Sequence, residues 1–155
     1  MTTVQTQTSP VKRTRADVYR ERVQIRLATD EAGPLIAEVL RENNIEIPGT
    51  DWSKVFPHWL IATVDDSVIG CMMVMPGKPF GHGGFLCVRP SAGFKMRAIA
   101  IRKLVHQAVA TCHYYGSSYV IGMVDGRNQK FYDVLTKMGF TAISPHMAMM
   151  KRIKD

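Results

Sequence analysis

The sequence predicts an α/β (α+β) protein of one domain, with a mixed, mostly antiparallel central sheet flanked by helices, and three observations predict it. Two apolar runs, HWLIATV at 58–64 and SVIGCMMVM at 67–75, are separated only by Asp65 and Asp66, the pattern of a β-hairpin with its carboxylates solvated at the turn. From about Ala98 the apolar period becomes helical: Ile101, Leu104, Val105, Ala108, Val109 and Cys112 share one face, while Arg102, Lys103 and Gln107 share the other. A strand that crosses over through such a helix returns parallel, so hairpin and crossover together make a mixed sheet with helices on its faces. The third observation is size. A chain of 155 residues, 46% hydrophobic, suits a single domain that buries roughly two-thirds of its unfolded surface and needs no cross-link.

The elements follow in order. Residues 1–20 are rich in Thr, Gln and Ser and show no periodic apolar face, so a flexible basic tail is expected there and a domain over 21–155. Val23, Ile25 and Leu27 alternate with polar neighbours as in a half-buried strand. Thr29 or Asp30 then caps a helix whose Leu35, Ile36, Val39 and Leu40 repeat at three and four, running to about Asn44. Residues 45–56, with Pro48-Gly49, are turn-rich, with room for one short second helix. After the hairpin, PGKPFGHGG at 76–84 reads as a loop and GFLCVRP at 84–90 as a strand. Gly116 closes the long helix, and Tyr119 to Val124 form an apolar run suited to the inside of a sheet. Asn128 opens a last helix that stops at Gly139, and residues 140–153 make one or two closing strands around Ser144-Pro145.

Composition bounds the function. Cys71, Cys87 and Cys112 form neither a disulfide framework nor a zinc pair, which suits a reducing, cytoplasmic setting. No pair of the five histidines has metal-ligand spacing, so no metal is expected. No apolar run approaches the ~20 residues of a membrane span, and the start lacks a secretory signal core, so no membrane partner is expected. The formal charge of +7 calls for an anionic partner, and Lys12, Arg13, Arg15, Arg20 and Arg22 concentrate part of it near the start. That cluster reads as a solvated tail or as a nucleic-acid arm; charge alone shows no base readout, so a nucleic-acid partner is disfavoured. The methionines at 72, 73, 75, 147, 149 and 150 read first as adaptable core and second as an oligomeric or partner-binding surface.

Two segments carry a resemblance. FLCVRPSAGFKMRAIAIRKLV at 85–105 and VDGRNQKFYDVLTKMGF at 124–140, with the element order, resemble the GCN5-related N-acetyltransferase family over about residues 22–153. The resemblance implies an acyl-CoA N-acyltransferase-like fold, acetyl-CoA (CoA) as cofactor, and acetyl transfer to a primary amine on a small molecule or a protein. It implies that backbone groups of Leu86, Cys87 and Val88 bind the pantetheine. Lys95, Met96, Arg97, Ala98, Ile99 and Ala100 would hold the pyrophosphate, and Asn128 the arm. The physical basis of the phosphate site is independent of the name: a helix start offers unpaired N–H groups and the positive end of a dipole.

Departures from the family pattern matter as much. Lys95 replaces the usual Arg or Gln, Ala98 replaces a glycine, and Phe131 fills a position that is usually small, so that it borders the cofactor groove. Leu135 stands where the family often has a tyrosine acid, which makes Tyr132, one turn earlier, the candidate catalytic acid. Asp125 is the candidate base, or a turn residue before Gly126. A competing expectation keeps the fold without the catalysis: a structural or partner-binding protein, such as a phage accessory protein. Acceptor choice would lie with residues 30–56 and 76–84.

Overall fold

The computed structural model describes residues 14–124, 128–143 and 148–153. Seven strands form one sheet: β1 (Gln24–Leu27), β2 (Trp59–Val64), β3 (Ser67–Met75), β4 (Phe80–Val88), β5 (Tyr119–Met123), β6 (Thr141–Ala142) and β7 (Ala148–Arg152). Their order across it is β1-β2-β3-β4-β5-β7-β6. Every neighbouring pair is antiparallel except β4 and β5. That one parallel pair is joined by the crossover helix α3 (Phe94–Tyr114), as the predicted fold class requires.

The hydrophobic pattern explains both layers. On one face, Leu104, Val105, Ala108 and Cys112 of α3 bury against Leu60, Ala62, Met72, Val74, Val88 and Val120 of the sheet. Helix α4 (Gln129–Lys137) adds Leu135 to the same cluster. On the other face, Ile36, Val39 and Leu40 of α2 (Gly33–Glu42) pack with Trp59, Ile61, Val68, Cys71 and Cys87. Alternate residues of each strand therefore serve different cores, which is the period of a sheet covered on both sides.

Four expectations change. First, helix α1 (Arg15–Arg22) forms inside the stretch read as tail. A capping box starts it, with Thr14 Oγ1 accepting from Asp17 N and the Asp17 carboxylate accepting from Thr14 N at 2.9 Å. Lys103 Nζ holds its far end, donating to the carbonyls of Arg20 and Val23 at 2.6 Å each. Second, β4 begins at Phe80, inside the glycine-rich segment read as a loop. Pairing on both edges outweighs glycine's loop preference there, and Gly81 admits α3: a Cβ at this position would lie 2.5 Å from Cys112 Sγ. Third, residues 45–56 hold no helix. Fourth, α3 begins at Phe94, a full turn before Ala98.

Candidate functional site

The parallel pairing of β4 with β5 runs from Phe80↔Tyr119 to Gly83↔Gly122 and stops. Beyond it β4 continues to Val88, still paired on its other edge with β3 through Cys71↔Cys87 and Gly70↔Val88. Arg89 N donates to Ile69 O at 2.7 Å, so by alternation the Cys87 groups point to β3, while those of Leu86 and Val88 face a gap in which no β5 residue satisfies them; Val88 O accepts from Asn43 Nδ2 at 3.4 Å. An extended chain bearing amides fits such an edge, because it supplies the missing partners.

A bulge shapes the gap. Between the pairs Met73↔Gly84 and Cys71↔Cys87, β3 advances two residues and β4 three. The surplus residue lies next to Phe85, whose φ of 48° is unusual for a side chain of that size. Leu86 packs against the α3-side core, whereas Cys87 is buried on the α2 side. Burial pushes the Cys87 thiol up to about 11 and raises Cys71 further, so neither is a thiolate nucleophile near neutral pH. The Cys87 backbone is turned to β3 through the Cys71↔Cys87 pair, so of the three expected pantetheine residues Leu86 and Val88 face the gap and Cys87 does not.

The gap leads to the start of α3. Gly93 is its N-cap, at φ 73° and ψ 152°, with no side-chain cap hydrogen bond. Arg97 N donates to Gly93 O at 3.0 Å, which opens the helical ladder. The N–H groups of Phe94, Lys95 and Met96 precede that bond, and they are the ones a helix leaves without internal partners. Lys95 is exposed, and Arg97 Nε is buried with no hydrogen-bond partner. An anion at this turn would meet unpartnered N–H groups and the positive end of a helix dipole, with exposed Lys95 beside them, so these residues fit a phosphate group.

The early start of α3 divides the predicted phosphate residues. Lys95, Met96 and Arg97 lie in the first turn. Ala98, Ile99 and Ala100 lie in the second, where their N–H groups belong to the helix, and Ala100 is fully buried. Arg89, which precedes the turn, is already committed. Its guanidinium donates to Glu38 at 2.9 Å and to Glu42, and its Nε donates to Val68 O at 2.9 Å. These bonds clamp the end of β4 to α2, and the Arg89 partner holds the Glu38 carboxyl below its ordinary range.

Helix α4 packs on the core cluster that also holds Val88 and Val124. Asn128 caps it, its Oδ1 accepting from Phe131 N at 3.1 Å, which leaves the amide NH2 as its remaining donor. Phe131 packs against the α3-side core, and Leu135 is buried in it. Tyr132 lies on the flank of the helix, 36% exposed. Asp125 falls outside the described residues. A groove of about 490 Å³ between β1 and the C-terminal half of α3, lined by Leu27, Pro57, Tyr114 and Tyr115 among others, shares no residue with the gap. Among the described residues no cluster of His, Cys, Asp or Glu could hold a metal, and no helix is long and apolar enough to cross a membrane.

Sequence reasoning missed Gly93, Arg97 Nε as an orphan, and Phe85. Gly93 was readable as a glycine just before a basic helix start; the other two depend on packing and register that no local pattern encodes.

No family profile and no curated protein sequence matches the chain. Solved structures do. The chain is similar to N-acetylglutamate synthase from Neisseria gonorrhoeae, solved with coenzyme A and L-arginine, at 17% identity and a TM-score of 0.71 over 86% of this chain. It spans about a third of that synthase, 34% of its length. It is similar to Ard1 from Thermoplasma volcanium at 14% identity and TM-score 0.69, covering 86% of this chain and 99% of that one. The PaiA N-acetyltransferase from Thermoplasma acidophilum, solved with coenzyme A, gives 17% identity and TM-score 0.67 over 84% of this chain and 99% of its own. At these identities the likeness is one of fold. The chain has the acyl-CoA N-acyltransferase fold of the GCN5-related N-acetyltransferases, as its sequence predicts.

Proposed function

We propose that this chain, built on the acyl-CoA N-acyltransferase fold, transfers an acetyl group from acetyl-CoA to a primary amine. The observation that carries the proposal is the parting of β4 from β5 beyond Gly83 and Gly122, with the open start of α3 at the end of the gap. Acetyl-CoA supplies an activated acyl thioester. The edge presented by Leu86 and Val88 receives the amides of the pantetheine, the first turn of α3 with Lys95 and Arg97 receives the pyrophosphate, and the Asn128 amide holds the arm. Structures of similar fold solved with coenzyme A support this reading.

In the reaction the amine nitrogen bonds to the acyl carbon, the carbon–sulfur bond breaks, and the departing thiolate takes a proton. Holding both reactants in register is the protein's main contribution, since positioning alone is worth up to roughly 7–11 kcal/mol of barrier in favourable cases. Buried Leu135 cannot donate a proton. Tyr132, on the flank of α4, is the hydroxyl assigned to the thiolate, and Asp125 the carboxylate assigned to the amine.

The test is release of free thiol from acetyl-CoA over a panel of primary amines. Tyr132→Phe should lower kcat about a hundredfold, the lower end of what a general acid contributes, with the KM for acetyl-CoA unchanged. Unchanged kcat removes Tyr132 from the chemistry. A second reading, coenzyme A binding without turnover, is favoured by the burial of Leu135 at the acid position. It predicts cofactor binding with no thiol released for any amine.

A further inference from the structure

We infer that the acceptor of this cleft is an amine carrying an aromatic ring, and that Phe85 receives the ring. The inference rests on the acyl-transfer reading above. On the α3 side of the gap the sheet is already covered: Val88, Val124, Leu135 and Phe140 are buried in one cluster. An acceptor reaches the gap from the other face.

That face presents a row of three rings. Trp52 and Trp59 have centroids 5.8 Å apart, and Trp59 lies against Phe85 at 6.2 Å with 29° between planes. Trp59 is 6% exposed and Phe85 40%. Trp59 is thus the buried middle ring, between half-buried Trp52 and Phe85, and the exposed part of the Phe85 ring is the surface on which a further ring would stack.

The backbone places Phe85 there at some cost. Regular alternation from Gly84, whose missing Cβ would meet Met73 Cε at 3.5 Å, would turn residue 85 to the α3 face. The bulge returns it to the α2 face, and the positive φ is a strain that a residue with a Cβ accepts only when its surroundings impose it. The wall behind it is rigid. Asp30 Oδ1 accepts from Val55 N at 2.8 Å and Phe56 N at 2.9 Å, pinning the loop that carries Trp52. Gly33 packs on the same loop so closely that a Cβ there would lie 1.5 Å from Trp52 O. A wall ordered before binding spares the ligand that cost. Met123, 83% exposed at the end of β5, gives the opposite lip a soft apolar surface.

The chain's only two tryptophans both belong to this stack, so their fluorescence reports on it directly. The experiment is a tryptophan-fluorescence titration of the protein, in the presence of coenzyme A, with phenethylamine, butylamine and ethanolamine. Phenethylamine should bind about tenfold more tightly than either alternative, the scale of one ring stacked and buried. Phe85→Asn keeps a residue that tolerates positive φ and removes the ring; it should abolish the preference, and Phe85→Tyr should retain it. Coenzyme A affinity, read by calorimetry, should be the same in all three proteins. Equal affinity for the three amines, or a preference that survives Phe85→Asn, overturns the inference alone. Absence of coenzyme A binding overturns the acyl-transfer reading and this inference with it.

Discussion

Gly93 holds φ 73° and ψ 152°, a combination essentially closed to residues with a Cβ, yet nothing lies within 4 Å of where a Cβ would go. The cost of a side chain there is purely conformational. Gly93→Ala should destabilise the fold by about 1–3 kcal/mol, read as a melting temperature lower by about 2–4 °C per kcal/mol for a chain of this size. It should also weaken acetyl-CoA binding, because the same residue sets the direction of the first N–H groups of α3. A variant with unchanged melting and unchanged binding would show that the turn relaxes freely. At this scale the sequence was legible only through resemblance: it names Lys95, Arg97 and Asn128, which the fold sets in the first turn of α3 and at the cap of α4. Phe85 could not, since its direction depends on one surplus residue in β4, which exists only relative to β3.

Among the elements, the hairpin, α3, β5 and α4 were legible because each repeats its apolar residues at its own period over several turns or pleats. The misplaced boundaries have physical causes. Thr14 and Asp17 carry a readable capping box, but α1 is short and polar, and its far end is satisfied by Lys103, which lies 80 residues from Val23. Phe94–Arg97, where apolar and basic residues alternate, showed no helical period, though a helix start needs none. One contact between elements makes a pH prediction. The Glu38 carboxyl is held below its ordinary range mainly by its hydrogen bond to Arg89, so its pairing adds stability at neutral pH. That stability is lost as pH falls through the lowered value. Melting temperature should therefore drop on acidification below about pH 4, and Arg89→Met should flatten the drop while lowering stability at neutral pH. Parallel pH curves for the two proteins would show that the clamp between β4 and α2 contributes nothing.

For the whole molecule, the class, the single sheet with helices on both faces and the crossover were legible, because they follow from the order of elements rather than from their limits. The site was legible only as a resemblance, since a gap between strands is a property of pairing that ends, and no residue type marks it. Arg22 pairs with Asp65 and Arg89 with Glu38 and Glu42, so neither belongs to the surplus positive charge; Lys103, held by carbonyls at the end of α1, does. Lys95 and Arg97 stand at the mouth of the gap, where an anion of matching charge would sit. The central claim is that this gap and helix start hold acetyl-CoA, and calorimetric titration tests it most directly. The account predicts saturable binding of one acetyl-CoA per chain, weakened by salt and by Arg97→Gln, with a matching rise in melting temperature. No heat and no melting shift at millimolar acetyl-CoA would contradict it.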